Sequence, residues 1–295
     1  MPATKSRSTR SRDALVATSL SAVAFLPFQA GAAEPFENEA AATVPSADAV
    51  DERRYGPIRQ KLADWNVKLA DWNVMLAAGA MYAPKYEGSD EFELVPLPMI
   101  SATIGRLTID PGGLSIDVLE SNGFKVSVKG GYDIGGGRKE KDSKHLKGLG
   151  DIDGGGVVGA QISYEMGPME IYTSVDRTFG GSDGLIGQIG ANVSHHYNAF
   201  ILSAGVSATF ADKNHMQSYF GVTALQSARS GLRQYDAGAG HKRFDIEASV
   251  TYMASQNWFV RGQAGVGFLT GDAKDSPIVR KTVQPSGMLM AGYRF

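Results

Sequence analysis

Charged side chains recur at every second position in several segments of the sequence. Lys125, Lys129 and Asp133 alternate with apolar residues. Because residues i and i+2 of a β-strand point to the same face, such charges are expected to share one surface. On the inner face of a barrel they either pair with one another and fill a narrow lumen, or line a channel that selects small solutes. The predicted lumen-lining residues are Lys125, Lys129, Asp133, Glu165, Asp176, Arg243, Asp245, Glu247 and Arg261.

Two further arginines lie in a glycine-rich connection between predicted strands. Arg229 and Arg233 belong to the segment 227–242. A polar segment of this length can fold into the mouth of a barrel, so it is a candidate plug or gate. Both arginines are therefore added to the candidate gating residues.

One set of side chains has the residue types of a nucleophile and its base. Asn192, Ser194 and His196 share one face of a predicted strand. A serine activated by histidine would make the protein an outer-membrane lipid hydrolase. Residues i and i+2 on a strand lie roughly 6–7 Å apart, which is too far for an ordinary hydrogen bond. A polar lumen face is the favoured interpretation, and no catalytic residue is predicted.

Other chemistry is excluded by composition and motifs. The chain has no cysteine, so it has neither a disulfide framework nor a thiolate metal site. It contains no HExxH or P-loop motif, and its five histidines lack metal-ligand spacing. No metal or cofactor is predicted. A formal net charge of −2 argues against a nucleic-acid partner.

Alternation of apolar and polar residues dominates the chain from Trp72 onward. Phe124, Val126 and Val128 face one way, while Lys125 and Ser127 face the other. Segments of about ten alternating residues with aromatic residues near their ends are typical of membrane β-barrels. The predicted fold is all-β, a transmembrane antiparallel up-and-down barrel.

Two segments decide the strand number, which is predicted to be about twelve, with ten or fourteen as alternatives. The segment 105–118 contains Asp110-Pro111-Gly112-Gly113, which either breaks it or forms a bulge, and the segment 218–226 is weakly patterned. Counting each as one strand places the long connection 135–153 on the periplasmic side.

The amino-terminal region has the layout of an export signal. A basic start, an apolar run over 14–28 and Ala30-Gly31-Ala32 predict a signal peptide over residues 1–32. Residues 33–70 are expected to form a flexible periplasmic leader. The leader contains the heptad KLADWNV at 61–67, which is repeated at 68–74. Residues 71–295 are assigned to the barrel.

The last strand ends in an aromatic residue. Tyr293 and Phe295 lie on one face of the predicted strand, and Arg294 lies on the other. This ending resembles the assembly signal of bacterial outer-membrane barrels. The resemblance implies location in the cell outer membrane, contact with its lipid, and recognition by the barrel-assembly machinery.

Several stretches between Trp72 and Phe295 are similar to the MipA/OmpV family of outer-membrane proteins. They are Tyr82-Ala-Pro-Lys-Tyr86-Glu-Gly-Ser89 with Pro96-Leu-Pro98, Leu149-Gly-Asp-Ile-Asp153, Ser218-Tyr-Phe-Gly-Val222, Ser227-Ala-Arg-Ser-Gly-Leu232 with Tyr235-Asp-Ala-Gly238, and Ser276-Pro-Ile278. The resemblance implies a scaffold that links a lytic transglycosylase to a penicillin-binding protein. A narrow porin-like channel is the second hypothesis, and a lipid hydrolase is the third. The leader with its duplicated heptad departs from the family pattern.

Overall fold

The computed structural model describes residues 72–133 and 137–295. The predicted signal peptide, the leader and the first heptad copy lie outside the described residues. The described chain forms twelve antiparallel strands in a closed barrel, in which each strand pairs with its sequence neighbours and β1 pairs with β12. The predicted fold class is therefore confirmed.

The strands are long and joined mostly by short turns at one end. Their bounds are β1 Trp72–Pro84, β2 Phe92–Ile104, β3 Leu107–Asp110, β4 Gly113–Ser121, β5 Phe124–Tyr132, β6 Gly156–Met166, β7 Met169–Phe179, β8 Leu185–Tyr197, β9 Phe200–Ala211, β10 Gly240–Met253, β11 Trp258–Leu269 and β12 Val283–Arg294. The connections between the described strands contain three helices: α1 Lys213–Phe220, α2 Ala224–Ser230 and α3 Gly271–Asp275. Two short 3-10 turns span Glu140–Asp142 and Lys144–Leu146. Across the described ranges, none of the helices is long and apolar enough to cross a membrane.

The outer surface of the barrel is apolar. Leu94, Ile100 and Leu289 are each more than 60% exposed, at 68%, 65% and 63%. Aromatic rings gather near the strand ends, and Tyr293 packs 5.2 Å from Trp258 and 4.8 Å from Phe295 between ring centroids. Large exposed apolar side chains between aromatic girdles are the lipid-facing surface of a membrane barrel.

The strand number agrees with the prediction because two errors cancel. The segment 105–118 is not one strand but the hairpin of β3 and β4. The Asp110 carboxylate accepts a hydrogen bond from the Gly112 N–H at 2.7 Å, a local bond that closes the turn. The segment 218–226 is not a strand; it contains the end of α1 and the start of α2. Thr223 and Gln226 form a capping box that starts α2.

The extra hairpin reverses the sidedness of the connection that follows it. The turns 105–106, 122–123, 167–168, 198–199 and 254–257 lie at the end of the barrel where β1 begins and β12 ends. The connections 85–91, 133–155, 180–184, 212–239 and 270–282 lie at the opposite end. Short turns mark the periplasmic end of such barrels. The prediction that 135–153 is periplasmic is therefore wrong.

The long connections pack together over the mouth of the barrel, and we call this assembly the cap. Phe220, Met216 and Ala273 in the helices bury the lumen-facing Ala211 and Leu269 at the upper ends of β9 and β11. A second apolar cluster joins residues from four connections. Its buried members are Tyr86, Leu146, Leu149, Val222 and Ile278. The cap therefore has an apolar core of its own.

Candidate functional site: the lumen and its cap

Four charged side chains form a compact cluster where the lumen meets the cap. Lys242 Nζ lies 3.1 Å from Glu87 Oε2, and Arg243 lies 3.7 Å from Glu87 Oε1 and 2.6 Å from Asp245 Oδ1. The side chains of Glu87 and Lys242 are only 7% exposed. The cluster contains two basic and two acidic groups, so burial leaves no net charge uncompensated.

A bulge in β10 brings adjacent basic residues to the same carboxylate. His241 pairs with Phe210 and Arg243 with Thr209, so Lys242 is the additional residue between them. Consecutive residues of a regular strand point to opposite faces, and a bulge removes this restriction. Lys242 and Arg243 can therefore both contact Glu87.

His215 of α1 lies directly above this cluster. Its side chain is buried, and the Lys242 ammonium lies 3.3 Å from Nε2. Lys242 can donate only to an unprotonated Nε2, so the imidazole is neutral. Burial lowers the pKa of His215 well below its ordinary value, and the charge of Lys242 lowers it further. Nδ1 is buried without a hydrogen-bond partner among the described residues.

The charges predicted from alternation are found mostly in pairs across the lumen face. Lys129 Nζ lies 2.9 Å from Asp176, and Lys125 Nζ lies 3.9 Å from Asp117. Ser127 also donates to Asp117 at 2.6 Å. Opposite charges on β4 and β5, and on β5 and β7 across β6, are thus held together, which favours mutual pairing over a free channel lining.

A second polar chain links β10 and β11. Arg261 donates to Gln263 Oε1 at 3.2 Å, and Gln263 donates to Glu247 at 3.1 Å. Glu247 and Arg261 are therefore connected through the side-chain amide of Gln263. Gln263 was not predicted as a site residue because its neutral side chain carries no charge signal.

The remaining predicted residues lie at the two ends of the barrel. Glu165 is exposed near the periplasmic end of β6, opposite Glu170. Asp133 follows β5 at the cap end, where its N–H donates to Gly155 O at 2.8 Å. Glu165 is therefore remote from the charge cluster beneath the cap.

Arg229 and Arg233 stabilise the cap. Arg229 Nη2 lies 3.4 Å from Glu140 Oε1. Arg233 donates to the Asp275 carbonyl at 2.7 Å and lies over the Tyr235 ring. The two arginines thus join α2 and the chain after it to other connections of the cap.

Sequence patterns missed Glu87, Asp117, Lys242 and His215. Glu87 lies in a connection, where alternation gives no information. Lys242 is hidden by the bulge, which breaks the period at that residue. Glu87 does belong to the stretch Tyr82–Ser89 that carries the family resemblance, and this was the available signal.

The lumen has an apolar patch formed by residues of β1, β2 and β12 and by the periplasmic end of β11. Met81, Met99, Met288 and Met290 are buried with Phe259 in one cluster, which we call the methionine cluster. Met75, Met253 and Leu97 pack against it. The predicted lumen-lining residues are all charged, so this apolar patch is a finding of the structure.

The serine and histidine of the hydrolase hypothesis are not hydrogen-bonded to each other. Ser194 Oγ lies 3.0 Å from Ser203 Oγ on β9, and Asn192 donates to Glu170 at 3.4 Å. His196 is exposed. The three side chains thus have different surroundings.

The cap contains a polar pocket of about 300 Å³. Arg138 lies against it and is buried, with its guanidinium donating to the Tyr219 carbonyl at 2.5 Å. Burial lowers the pKa of Arg138 to about 10, which still leaves the group charged at neutral pH. In the described part of the chain, no three His, Cys, Asp or Glu side chains converge as a metal site.

Curated relatives match part of the chain. The MltA-interacting proteins of Escherichia coli K12 and Shigella flexneri are each 28% identical over 125 residues, covering 42% of this chain and 49% of the relative. The matched region thus spans about half the length of these relatives.

Solved barrels resemble the structure only distantly. Pseudomonas putida OprB has a TM-score of 0.38 and 10% identity, covering 82% of this chain and 97% of that chain. The in-vitro folded OmpT of Vibrio cholerae, in its trimer form, has a TM-score of 0.33 and 9% identity, covering 76% and 98%.

A family model described as "MltA-interacting protein MipA" matches residues 76–295, which include almost the whole barrel. The apolar outer surface and the closed antiparallel strands place the protein in the outer membrane. Because the match covers most of the chain, this protein belongs to the MipA family.

Proposed function

We propose that the protein is a closed outer-membrane scaffold that docks murein-hydrolysing and murein-synthesising enzymes at its periplasmic end. The observation that carries the closed state is the cap, whose apolar core covers the lumen-facing ends of β9 and β11. Below it, many of the lumen charges are paired and the opposite side is lined by the apolar methionine cluster. A lumen arranged in this way offers little polar surface to a water-filled path.

The proposed partners come from the family and its relatives. Two relatives are named for interaction with MltA. By this likeness, we propose a lytic transglycosylase as the first partner and a penicillin-binding protein as the second. Barrel-assembly proteins and lipid are proposed as the partners of insertion.

The leader is the proposed docking segment. β1 starts at the end of the barrel that carries the short turns, so residues 33–70 connect to that end. The described turns there are only two to four residues long, for example 167–168 and 254–257. A leader of predicted flexibility offers more contact area to a partner than these turns do.

Crosslinking in intact cells tests the docking proposal. Tagged full-length protein is expected to crosslink to a lytic transglycosylase and a penicillin-binding protein. Removing residues 33–70 while retaining the signal peptide should abolish these products. A cap variant, Leu225→Asp, is the matched control because Leu225 is 68% exposed at the opposite end. Equal crosslinking of the leader deletion and the control would contradict docking through the leader.

A narrow pore is the second candidate function, because the polar half of the lumen carries charges that could select solutes. Planar-bilayer recording of purified protein separates the two functions. The scaffold proposal expects no reproducible single-channel steps. Reproducible single-channel current steps would favour the pore if their ion selectivity changed in the Lys129→Glu variant, because Lys129 lies on the lumen face.

A further inference from the structure

The barrel wall has a notch beside β2. All thirteen residues of β2 pair with β1, but only Ala102, Thr103 and Ile104 pair with β3. The strand β3 ends at Asp110, and the chain then turns back into β4. Within the described residues, 92–101 therefore have no strand on their second side. We call this segment the β2 edge.

Hydrogen-bond alternation shows which residues face the notch. Ile104 and Leu107 flank a two-residue turn, so the even-numbered residues of β2 direct their N–H and C=O groups toward β3. The odd-numbered residues bond to β1, as Glu91 O does in accepting from Lys85 N–H at 3.0 Å. The backbone groups facing the notch are those of Phe92, Leu94, Pro96, Pro98 and Ile100.

Two prolines lie on the β2 edge at positions that face the notch. Pro96 and Pro98 have no N–H, so the edge lacks two of the donors that a pairing strand would need. Proline on an edge is a recognised protection against pairing with another strand. The notch is therefore unsuited to closure by an added strand, but it remains open to other molecules.

Between Glu93 at the cap end and Ser101, the lumen surface behind the notch is apolar. The side chains of Val95, Leu97 and Met99 alternate with the lipid-facing side chains of β2 and point inward. Met99 belongs to the methionine cluster, and Leu97 packs against it. The apolar lining is thus continuous from the β2 edge to Met288 and Met290 on β12.

The surroundings of the notch specify an amphipathic molecule. Leu94 and Ile100 on the outer side of β2 face the bilayer. At the cap end, Lys281 Nζ lies 6.0 Å from the centre of the Phe92 ring. An apolar chain can follow the lining, while a polar, anionic head can meet Lys281 and the unpaired backbone groups of the edge. The cap covers the mouth above, so the bilayer is the adjacent source of such a molecule.

We propose that an acyl chain of an anionic membrane lipid enters the lumen through the notch and lies against Val95, Leu97 and the methionine cluster. Thioether side chains are flexible and polarisable, and they adapt to a chain that changes its conformation. The headgroup stays at the rim, where it hydrogen-bonds to the β2 edge. This site is independent of the docking function proposed above.

Photocrosslinking in nanodiscs tests the proposal. The full-length mature protein is reconstituted with phosphatidylglycerol that carries a diazirine in its acyl chain, and labelled residues are mapped by mass spectrometry. We expect labels on the lumen-facing Leu97, Met99 and Met288, in addition to lipid-facing Leu94. Gln161, on the polar half of the lumen, serves as the internal control and should stay unlabelled. Labels confined to lipid-facing residues would overturn the proposal.

The second experiment introduces a charged side chain into the apolar lining. Leu97→Asp should lower the labelling of Met288 about tenfold or more, because an acyl chain does not tolerate a buried carboxylate beside it. Labelling of Leu94 should not change. The matched control is Gln161→Asp, which places the same charge on the polar half and should leave Met288 labelled. If Leu97→Asp does not fold, as judged by heat-modifiable mobility, Leu97→Ser is measured instead. Unchanged labelling of Met288 in a folded Leu97 variant would reject the site.

Discussion

At the scale of single residues, the buried charge cluster is the most demanding feature of the molecule. Glu87 compensates Lys242 and Arg243 at once, and Glu87 Oε1 has only the ion pair with Arg243 at 3.7 Å. Breaking a buried pair by removing one partner leaves an uncompensated charge in a poorly solvated site. Replacing one charged side chain of the cluster by an uncharged side chain of similar shape should therefore destabilise the folded protein.

Glu87→Gln is expected to destabilise the folded protein by about 3–5 kcal/mol, because Lys242 loses its carboxylate partner. The temperature at which the barrel loses heat-modifiable mobility measures the effect. Asp236→Asn is the control, since Asp236 pairs with Lys213 at the surface and is 73% exposed. Exposed pairs contribute only about 0–1 kcal/mol. Equal effects of the two substitutions would show that the cluster is well hydrated.

His215 makes the cap sensitive to acid. Its folded-state pKa is lowered, so the unfolded chain binds the proton more readily. The stability contribution is complete above the unfolded pKa of about 6.5 and decreases as the pH falls below that value. The facing charges are Lys242, which is paired with Glu87, and Asp212, whose carboxylate caps α1 through the His215 N–H.

The acid effect is measured by limited proteolysis of the cap at pH 7.5 and pH 5.5, reference conditions on either side of about 6.5. Cleavage in the connection 212–239 should accelerate several-fold at the lower pH in the unmodified protein. His215→Gln cannot titrate and should show a much smaller pH difference. An equal difference in both proteins would assign the acid sensitivity to another group.

At the scale of elements, turn chemistry decides what strand alternation leaves open. The segment 105–118 alternates well enough to be taken as one strand, and only the structure shows that its Pro-Gly pair reverses the chain. The segment 218–226 is helical because Asp212 and Thr223 cap two helices, and Met216 and Phe220 of the first helix are buried in the cap. The two-residue alternation of apolar and polar side chains predicted the remaining strands. It carries no information on helix capping or on contacts between residues distant in sequence.

Gly113 is the residue on which the β3–β4 hairpin depends. Its φ of 132° is unfavourable for other residues, and a Cβ there would collide with the Gly130 carbonyl and the backbone of Gly131. Gly113→Val should therefore reduce the heat-modifiable fraction severalfold. Gly240→Val is the control, because Gly240 has no neighbouring atom within 4 Å of the added Cβ. A fully folded Gly113→Val protein would show that the hairpin can shift without cost to the barrel.

Alternation predicted only part of the candidate site, because it does not report how strands are aligned with one another. Lys129 and Asp176 could be placed on the lumen face from alternation alone, because their strands are regular. Their partnership could not, since it depends on the register between β5, β6 and β7. The methionine cluster joins strands from both ends of the sequence, and alternation cannot say that they meet.

At the scale of the whole molecule, we propose that the aromatic residue Phe295 links the fold to its assembly. The Phe295 backbone N–H donates to Val74 O at 2.9 Å, while its ring contacts Tyr293. Phe295→Ala retains the backbone bond and removes only the ring. We expect a severalfold lower yield in the outer membrane, measured as the heat-modifiable fraction after fractionation. Trp258→Ala, which removes a ring from the same girdle, should have the smaller effect if the terminal residue is the assembly signal.

The pairing of β1 with β12 has a consequence for the order of events during biogenesis. Met75 lies opposite Arg294, so the first described strand completes its hydrogen bonds with the last described strand. No earlier strand can substitute, since each of the others already has its own neighbours. The cylinder therefore cannot close before β12 has been synthesised. Until then the apolar strands lack their final partners and are exposed to aggregation.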